Sequence, residues 1–231
     1  MKFLTARWHN LILANYAIPE ELLRPHLPPG IEFDRRDGEC WGSLVGFQFL
    51  KTRVLGLSWP GYRNFPEWNL RFYVKQGDTR GVVFVREFVP QRLTAAMARL
   101  IYNEPYRAAK LTMTIEETET SLTAAYTVAW GGKMHALTCR GTKPSVVPPE
   151  DSTEQFFKEH SWGYGTGHLG KLIRYEVHHP KWAVYPVEQF DADVDWGLLY
   201  GPQWAAMNAA KPASVVLAAG SEVSVFPHHR R

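Results

Sequence analysis

The segment PEWNLRFYV, residues 66–74, constrains the fold more than any other stretch of this chain. Read as a strand, it has two faces, because successive side chains point to opposite sides. Trp68, Leu70, Phe72 and Val74 fall on one face; Glu67, Asn69, Arg71 and Tyr73 fall on the other. The first face needs a hydrophobic layer to cover it. The second must look at bulk water or line a polar hollow, since buried charges are costly unless paired.

Strand signals of this kind dominate the rest of the sequence. RWHNLILANYAI reads as a first strand, and PEELLRPHL as a short helix opened by Pro19 and stopped by PPG. IEFDRRDGECWGSLVGFQFL reads as a hairpin turning at Asp37-Gly38, and LRFYVKQGDTRGVVFVREFV as a second, turning near Gly77-Asp78. RLTAAMARLIYN is an alanine-rich helix with Leu93, Met97 and Leu100 at helical spacing. YRAAKLTMTIEE, SLTAAYTVAW and MHALTCRG make a predicted three-strand meander, with Gly131-Gly132 in its second turn. EDSTEQFFKEH is a helix with capping residues at Asp151 and Ser152; KLIRYEVHH, KWAVYPVEQF, SVVLAAG and SEVSVFP are four more strands. About ten strands with three or four helices, in no regular alternation, argue against a doubly wound parallel sheet. They predict an α+β fold, mainly antiparallel β, built as a barrel or sandwich with helices outside. No repeat or linker divides the chain, and GTKPSVVPPED reads as a long loop, so one domain over residues 1–231 is expected.

Composition narrows the function classes. Nine Trp, ten Tyr and twelve Phe suit strands and ligand pockets alike. The net charge is only +3, and the basic residues are scattered, which argues against a nucleic-acid groove. Two cysteines, Cys40 and Cys139, are too few for a disulfide scaffold. The N-terminal stretch MKFLTARWHNLILANY lacks the run of a signal peptide, and no segment approaches about eighteen uninterrupted apolar residues, so neither export nor membrane spanning is expected. The expectation is a cytoplasmic protein.

The familiar motifs fail on context. GTGHLG, residues 165–170, has the glycine spacing of a dinucleotide site, but a helix precedes it and a strand follows, the reverse of what a pyrophosphate needs. His178 and His179 are adjacent and would face opposite sides of a strand, and no His-x-x-x-His, Cys-x-x-Cys or Gly-x-Ser-x-Gly string is present. No metal and no cofactor are expected. What remains is the polar face at 67–73 and the cluster ARLIYNEPYRAAKL, with Arg99, Tyr102, Glu104, Tyr106, Arg107 and Lys110. Pro105 ends the helix there, and the chain enters a strand on which Tyr106, Ala108 and Lys110 share one face and Arg107 takes the other.

FPEWNLRFYVKQGDTRGVVF, followed by ARLIYNEPYRAAKL and later HHPKW, resembles the YqjF-like family, domain of unknown function 2071. LPPGIEFDRRDGECWGSLVGF and EDSTEQFFKEH also fit, so the resemblance covers nearly the whole chain; E-x-N-x-R-x-Y-V and P-Y are its most specific parts. That family is in turn similar to acetoacetate decarboxylase. The resemblance implies an acetoacetate decarboxylase-like barrel or cone flanked by a few helices, with an interior pocket for small oxo acids. The decarboxylase uses a lysine of depressed pKa, in a pair directly after a proline, to form a Schiff base. The matching place here, after Pro105, holds Tyr106-Arg107, and neither can form an imine.

The site expected on these grounds has Glu67, Lys110 and Tyr106 in catalytic roles and Asn69, Arg71, Tyr73 and Arg107 in substrate binding. Arg71, or Arg107 if the strand turns it inward, would grip a carboxylate with paired hydrogen bonds. Glu67 would be the general acid or base, and Lys110 would replace the missing amine unless it is an ordinary surface lysine. The expected function is a lyase or decarboxylase type of enzyme acting on a small oxo acid or other carboxylate. The alternative is a non-catalytic binding or sensor protein that lacks the Schiff-base lysine; a third reading leaves the polar face solvated. The expected partner is a small, anionic ligand, with neither nucleic acid nor membrane. A homo-oligomer stays open, with Trp59 and Trp204 available to an interface or to the core.

Overall fold

The structure is a computed structural model that describes residues 2–96, 103, 105–150, 152–158, 160–167 and 169–226. In chain order come β1 (Leu4–Ala17), α1 (Glu20–Leu23), β2 (Glu32–Phe33), β3 (Trp41–Val54), β4 (Phe65–Gln76) and β5 (Thr79–Val89). Then follow β6 (Tyr106–Ala108), β7 (Lys110–Glu117), β8 (Ser121–Trp130), β9 (Lys133–Thr142) and α2 (Thr153–Lys158). The chain ends with β10 (Trp162–Thr166), β11 (Leu172–His178), β12 (Val184–Tyr185), β13 (Val187–Asp193), α3 (Trp196–Tyr200) and β14 (Ser214–Phe226). Among the described residues no helix is long and apolar enough to cross a membrane.

The strands form two sheets. In the larger, hydrogen-bonded neighbours run β4-β3-β1-β14-β11-β10-β5, and β5 pairs back onto β4, so these seven strands close a ring. β10 and β6 share the far edge of β5 and run parallel to it; the other pairings are antiparallel. The smaller sheet, β13-β9-β8-β7, is the predicted meander with one strand added, and it lies against the outside of the ring.

Period-two alternation decides which layer each side chain enters. Trp68, Leu70, Phe72 and Val74 on β4 point out of the ring and are fully buried against the small sheet, where Tyr126, Val128 and Leu137 meet them. Phe65, Glu67, Asn69 and Arg71 point inward. On β1 a bulge keeps both layers apolar. The register slips between His9 and Ile12, and Asn10 takes a left-handed φ of 52°. Leu11 and Leu13 therefore join the inner cluster while Ile12 and Ala14 join the outer one.

Several expected elements differ in the structure. The Asp37-Gly38 turn forms, but β2 does not pair with β3: β3 starts too late to cover the end of β4, and β2 takes that edge, with Glu32 opposite Lys75. SVVLAAG and SEVSVFP are one strand, because Gly220 carries the chain through at φ 79° where a Cβ would meet the Trp8 carbonyl. KWAVYPVEQF splits into β12 and β13 at Pro186. Of the predicted 92–103 helix, residues 92–96 are helical; Met97, Arg99, Leu100 and Tyr102 lie outside the described residues, as do Glu104, Asp151 and His168. Ser152 does cap α2, accepting from the Gln155 amide at 3.2 Å.

Candidate functional site

The ring of strands is not filled. It encloses a cavity of about 420 Å³, to which all seven strands contribute side chains. Glu67, Asn69 and Arg71 of the polar row on β4 face this hollow, not bulk water.

Glu67 is the centre of the polar wall. It is only 2% exposed. The Asn69 amide donates to its Oε1 at 2.9 Å, and the Tyr106 hydroxyl donates to its Oε2 at 3.2 Å. Burial pushes the carboxyl up to about 7; the two hydrogen bonds and the charge of Arg71 pull the other way and do not cancel it. The Tyr106 hydroxyl is held well above its ordinary range, first by burial and then by the charges of Glu67 and Glu87. It stays protonated and serves as a donor.

A second acid, Glu87, lines the same cavity and is equally buried. Strict alternation from Val82 and Phe84 would turn Arg86 inward and Glu87 outward. The register slips instead, Leu70 pairing with Arg86 and Arg71 with Phe84, so that Val85 is an extra residue. Arg86 leaves the hollow and donates to the Leu199 carbonyl in α3. Glu87 enters it opposite Asn69 and beside Tyr106.

The far end of β4 is closed by α2. The Arg71 guanidinium donates through Nη2 to the Phe157 carbonyl at 3.0 Å, and the Tyr73 hydroxyl donates to the same oxygen at 3.1 Å. These bonds satisfy the end of a short helix and bring Lys158 and His160 to the cavity wall. Lys158 is 1% exposed. His160 packs against Tyr73 with the rings tilted and their centroids 4.7 Å apart, and burial lowers it to about 4, so the ring is neutral at pH 7.

Of the seven residues expected from the sequence, Glu67, Asn69, Arg71 and Tyr106 line the cavity together. Tyr73 lies on the same face but is spent on Phe157 and Ser43 beyond the hollow. Arg107 is on the outer face beside Arg86, and its guanidinium donates to the Tyr106 carbonyl. Lys110 does not share a strand with Tyr106. The chain leaves the large sheet at Ala109, β6 belonging to that sheet and β7 to the small one, and Lys110 stands exposed at the start of β7. Glu87, Lys158, His160 and Tyr175 are the polar lining that sequence reasoning missed. Among the described residues no three His, Cys, Asp or Glu side chains gather as a metal would require.

Comparisons with known proteins agree with this architecture. The family model for domain of unknown function 2071, an uncharacterised conserved protein, matches residues 5–222. YqjF of Bacillus subtilis (strain 168) is 26% identical over 191 residues, 78% of this chain and 74% of its own length. Acetoacetate decarboxylase from Legionella pneumophila superposes with a TM-score of 0.64 at 14% identity, over 96% of this chain and 85% of that one. The enduracididine biosynthesis enzyme MppR, solved with pyruvate, gives 0.63 at 13% identity, over 100% and 90%. At these identities the two solved structures establish a shared fold.

Proposed function

The chain belongs to the domain of unknown function 2071 family, and from that premise we propose that it binds a small carbonyl or carboxylate compound inside the ring and moves a proton on it. The observation that carries this reading is Glu67, a buried carboxyl near 7 that borders an open hollow between an amide and a phenol. A group poised there both takes and returns a proton at neutral pH. In the step proposed, the Glu67 carboxylate removes a proton from the carbon next to a carbonyl. The C–H bonding pair forms the carbon–carbon double bond of an enolate as the carbonyl π pair moves onto oxygen, which the Tyr106 hydroxyl holds by hydrogen bonding, and return of the proton reverses the step. Arg71 supplies positive charge for an acidic substrate. That MppR, a protein of the same fold, was solved in complex with pyruvate makes a 2-oxo acid the first class to try.

The test is proton exchange. Incubated with a panel of 2-oxo acids in heavy water, the protein is expected to replace the hydrogens next to the carbonyl with deuterium, read by NMR, and Glu67→Gln to lose that activity while still binding. Exchange that survives Glu67→Gln, or binding of oxo acids with no exchange in either protein, contradicts the proton-transfer role; the second outcome leaves a binding protein. The buried amine of Lys158 at the same cavity favours a second reading, in which the carbonyl condenses with lysine and loses water. Borohydride reduction with an oxo acid present, followed by peptide mass mapping, would place the adduct on Lys158 and not on Lys110.

A further inference from the structure

The cavity is larger and far more apolar than a three-carbon oxo acid requires. We propose that its ligand is amphipathic: one polar head on an apolar body of about eight to twelve carbon atoms. This deepens the function proposed above and rests on it.

Three observations point the same way. The first is volume. At roughly 30 Å³ of liquid volume per water-sized unit, about 420 Å³ holds about fourteen such units, and pyruvate fills less than half of it. The second is the division of the wall. Glu67, Asn69, Arg71, Glu87 and Tyr106 sit on three adjoining strands, β4, β5 and β6. The wall next to them round the ring is apolar: Val45, Phe47 and Phe49 on β3, beside Asn69, Glu67 and Phe65 of β4, then Leu11 on β1 and Val225 on β14, with Trp182 near them. A short charged ligand would leave that second wall facing water, whereas a hydrocarbon body covers it. The third is the rim. Trp59 and Leu93 line the cavity and are still 60% and 54% exposed, and Leu55 and Leu57 stand exposed in the same β3–β4 loop as Trp59. An apolar rim on an apolar hollow marks an entrance for an apolar body.

The head is defined by what the polar wall leaves open. Asn69 Oδ1 and Arg71 Nε are buried and have no hydrogen-bond partner among the described residues. Buried polar atoms of this kind are normally satisfied, and this pair asks for one donor and one acceptor close together. A carboxylic acid, a 2-hydroxy acid or the enol of a 2-oxo acid offers both. Along β4 the order is Phe65, Glu67, Asn69, Arg71, so the head lies toward α2 and the body toward the rim.

The test is a chain-length series. Straight-chain 2-oxo acids from pyruvate to 2-oxotetradecanoate, below their micelle concentrations, are titrated calorimetrically into the full chain. Affinity is expected to rise about fourfold per added methylene, to a limit near ten carbons, and then to level or fall. Val225→Trp, which thickens the apolar wall on the side away from Asn69 and Arg71, is expected to move that limit down by several carbons; Leu11→Phe repeats the test on the same wall if Val225→Trp does not fold. Affinity that is flat or falls with length, with pyruvate still bound, overturns the amphipathic ligand and leaves the proposed function standing. Binding at no length removes both. A length dependence that neither wall variant shifts places the tail outside the cavity and also overturns the inference.

Discussion

Two apolar regions of this molecule share strands and differ in kind. The layer between the ring and the small sheet is solid: Trp68, Leu70, Phe72, Leu122, Ala124, Val128, Leu137 and Cys139 are at or within 1% of full burial. The interior of the ring is built from residues of the same types, Leu11, Val45, Phe47, Phe49 and Phe65, yet surrounds a hollow. Neighbouring residues on one strand serve the two regions in alternation. The difference teaches that stability is lodged in one layer and ligand recognition in the other, and that a polar row can be buried on β4 because the opposite face of the same strand is so well packed.

The largest expected contrast comes from equal deletions on the two sides. Phe72→Ala removes a ring from the solid layer and should destabilise by about 4 kcal/mol, whereas Phe49→Ala, which borders existing empty space, should cost about 2 kcal/mol. Urea unfolding of both variants measures this, and equal losses would mean the hollow is not there. Next in size is a pH effect. With its carboxyl raised from 4.5 to about 7, folded Glu67 keeps a proton that the unfolded chain has already released. Stability should therefore fall as pH rises from about 4.5 to about 7 and level above it, this group accounting for about 3 kcal/mol. Glu67→Gln has no such proton to lose, so its stability relative to the parent should improve by about that amount between pH 4.5 and 8; parallel curves would place Glu67 in water. Smallest is the effect of overfilling. Leu44 faces the solid layer and Val45 the hollow, one residue apart on β3. Leu44→Phe should cost about 2 kcal/mol, and Val45→Phe should change unfolding by less than about 0.5 kcal/mol.

How much of this was legible in the sequence depends on whether a strand kept its alternation. The two faces of β4 could be read directly because nothing interrupts them from Phe65 to Gln76, and with them came Glu67, Asn69 and Arg71. Glu87 was hidden because one extra residue, Val85, reverses the face that simple alternation assigns. Lys110 was misplaced for a related reason: a single residue between strands, Ala109, moves the chain from one sheet to the other, and a run such as YRAAKLTMTIEE carries no local sign of that break. Lys158 ends, and His160 follows, a short helix whose own pattern says nothing about what it closes; their position is set by Arg71 and Tyr73 gripping the Phe157 carbonyl. The predicted pairing of β2 with β3 failed on a long-range matter, the length of β4 left uncovered. Local periodicity thus fixed faces, while bulges, sheet changes and strand lengths fixed which faces meet.

The most direct test of the account is the titration of Glu67 itself. In protein carrying ¹³C-labelled glutamate, the side-chain carboxyl resonance that vanishes in Glu67→Gln identifies this group, and its shift is followed from pH 3 to pH 9. A walled hollow with Asn69 and Tyr106 on the carboxyl predicts a midpoint near 7. A midpoint at the ordinary 4.5 would mean that the carboxyl is hydrated, and that β4 turns its polar face to solvent after all.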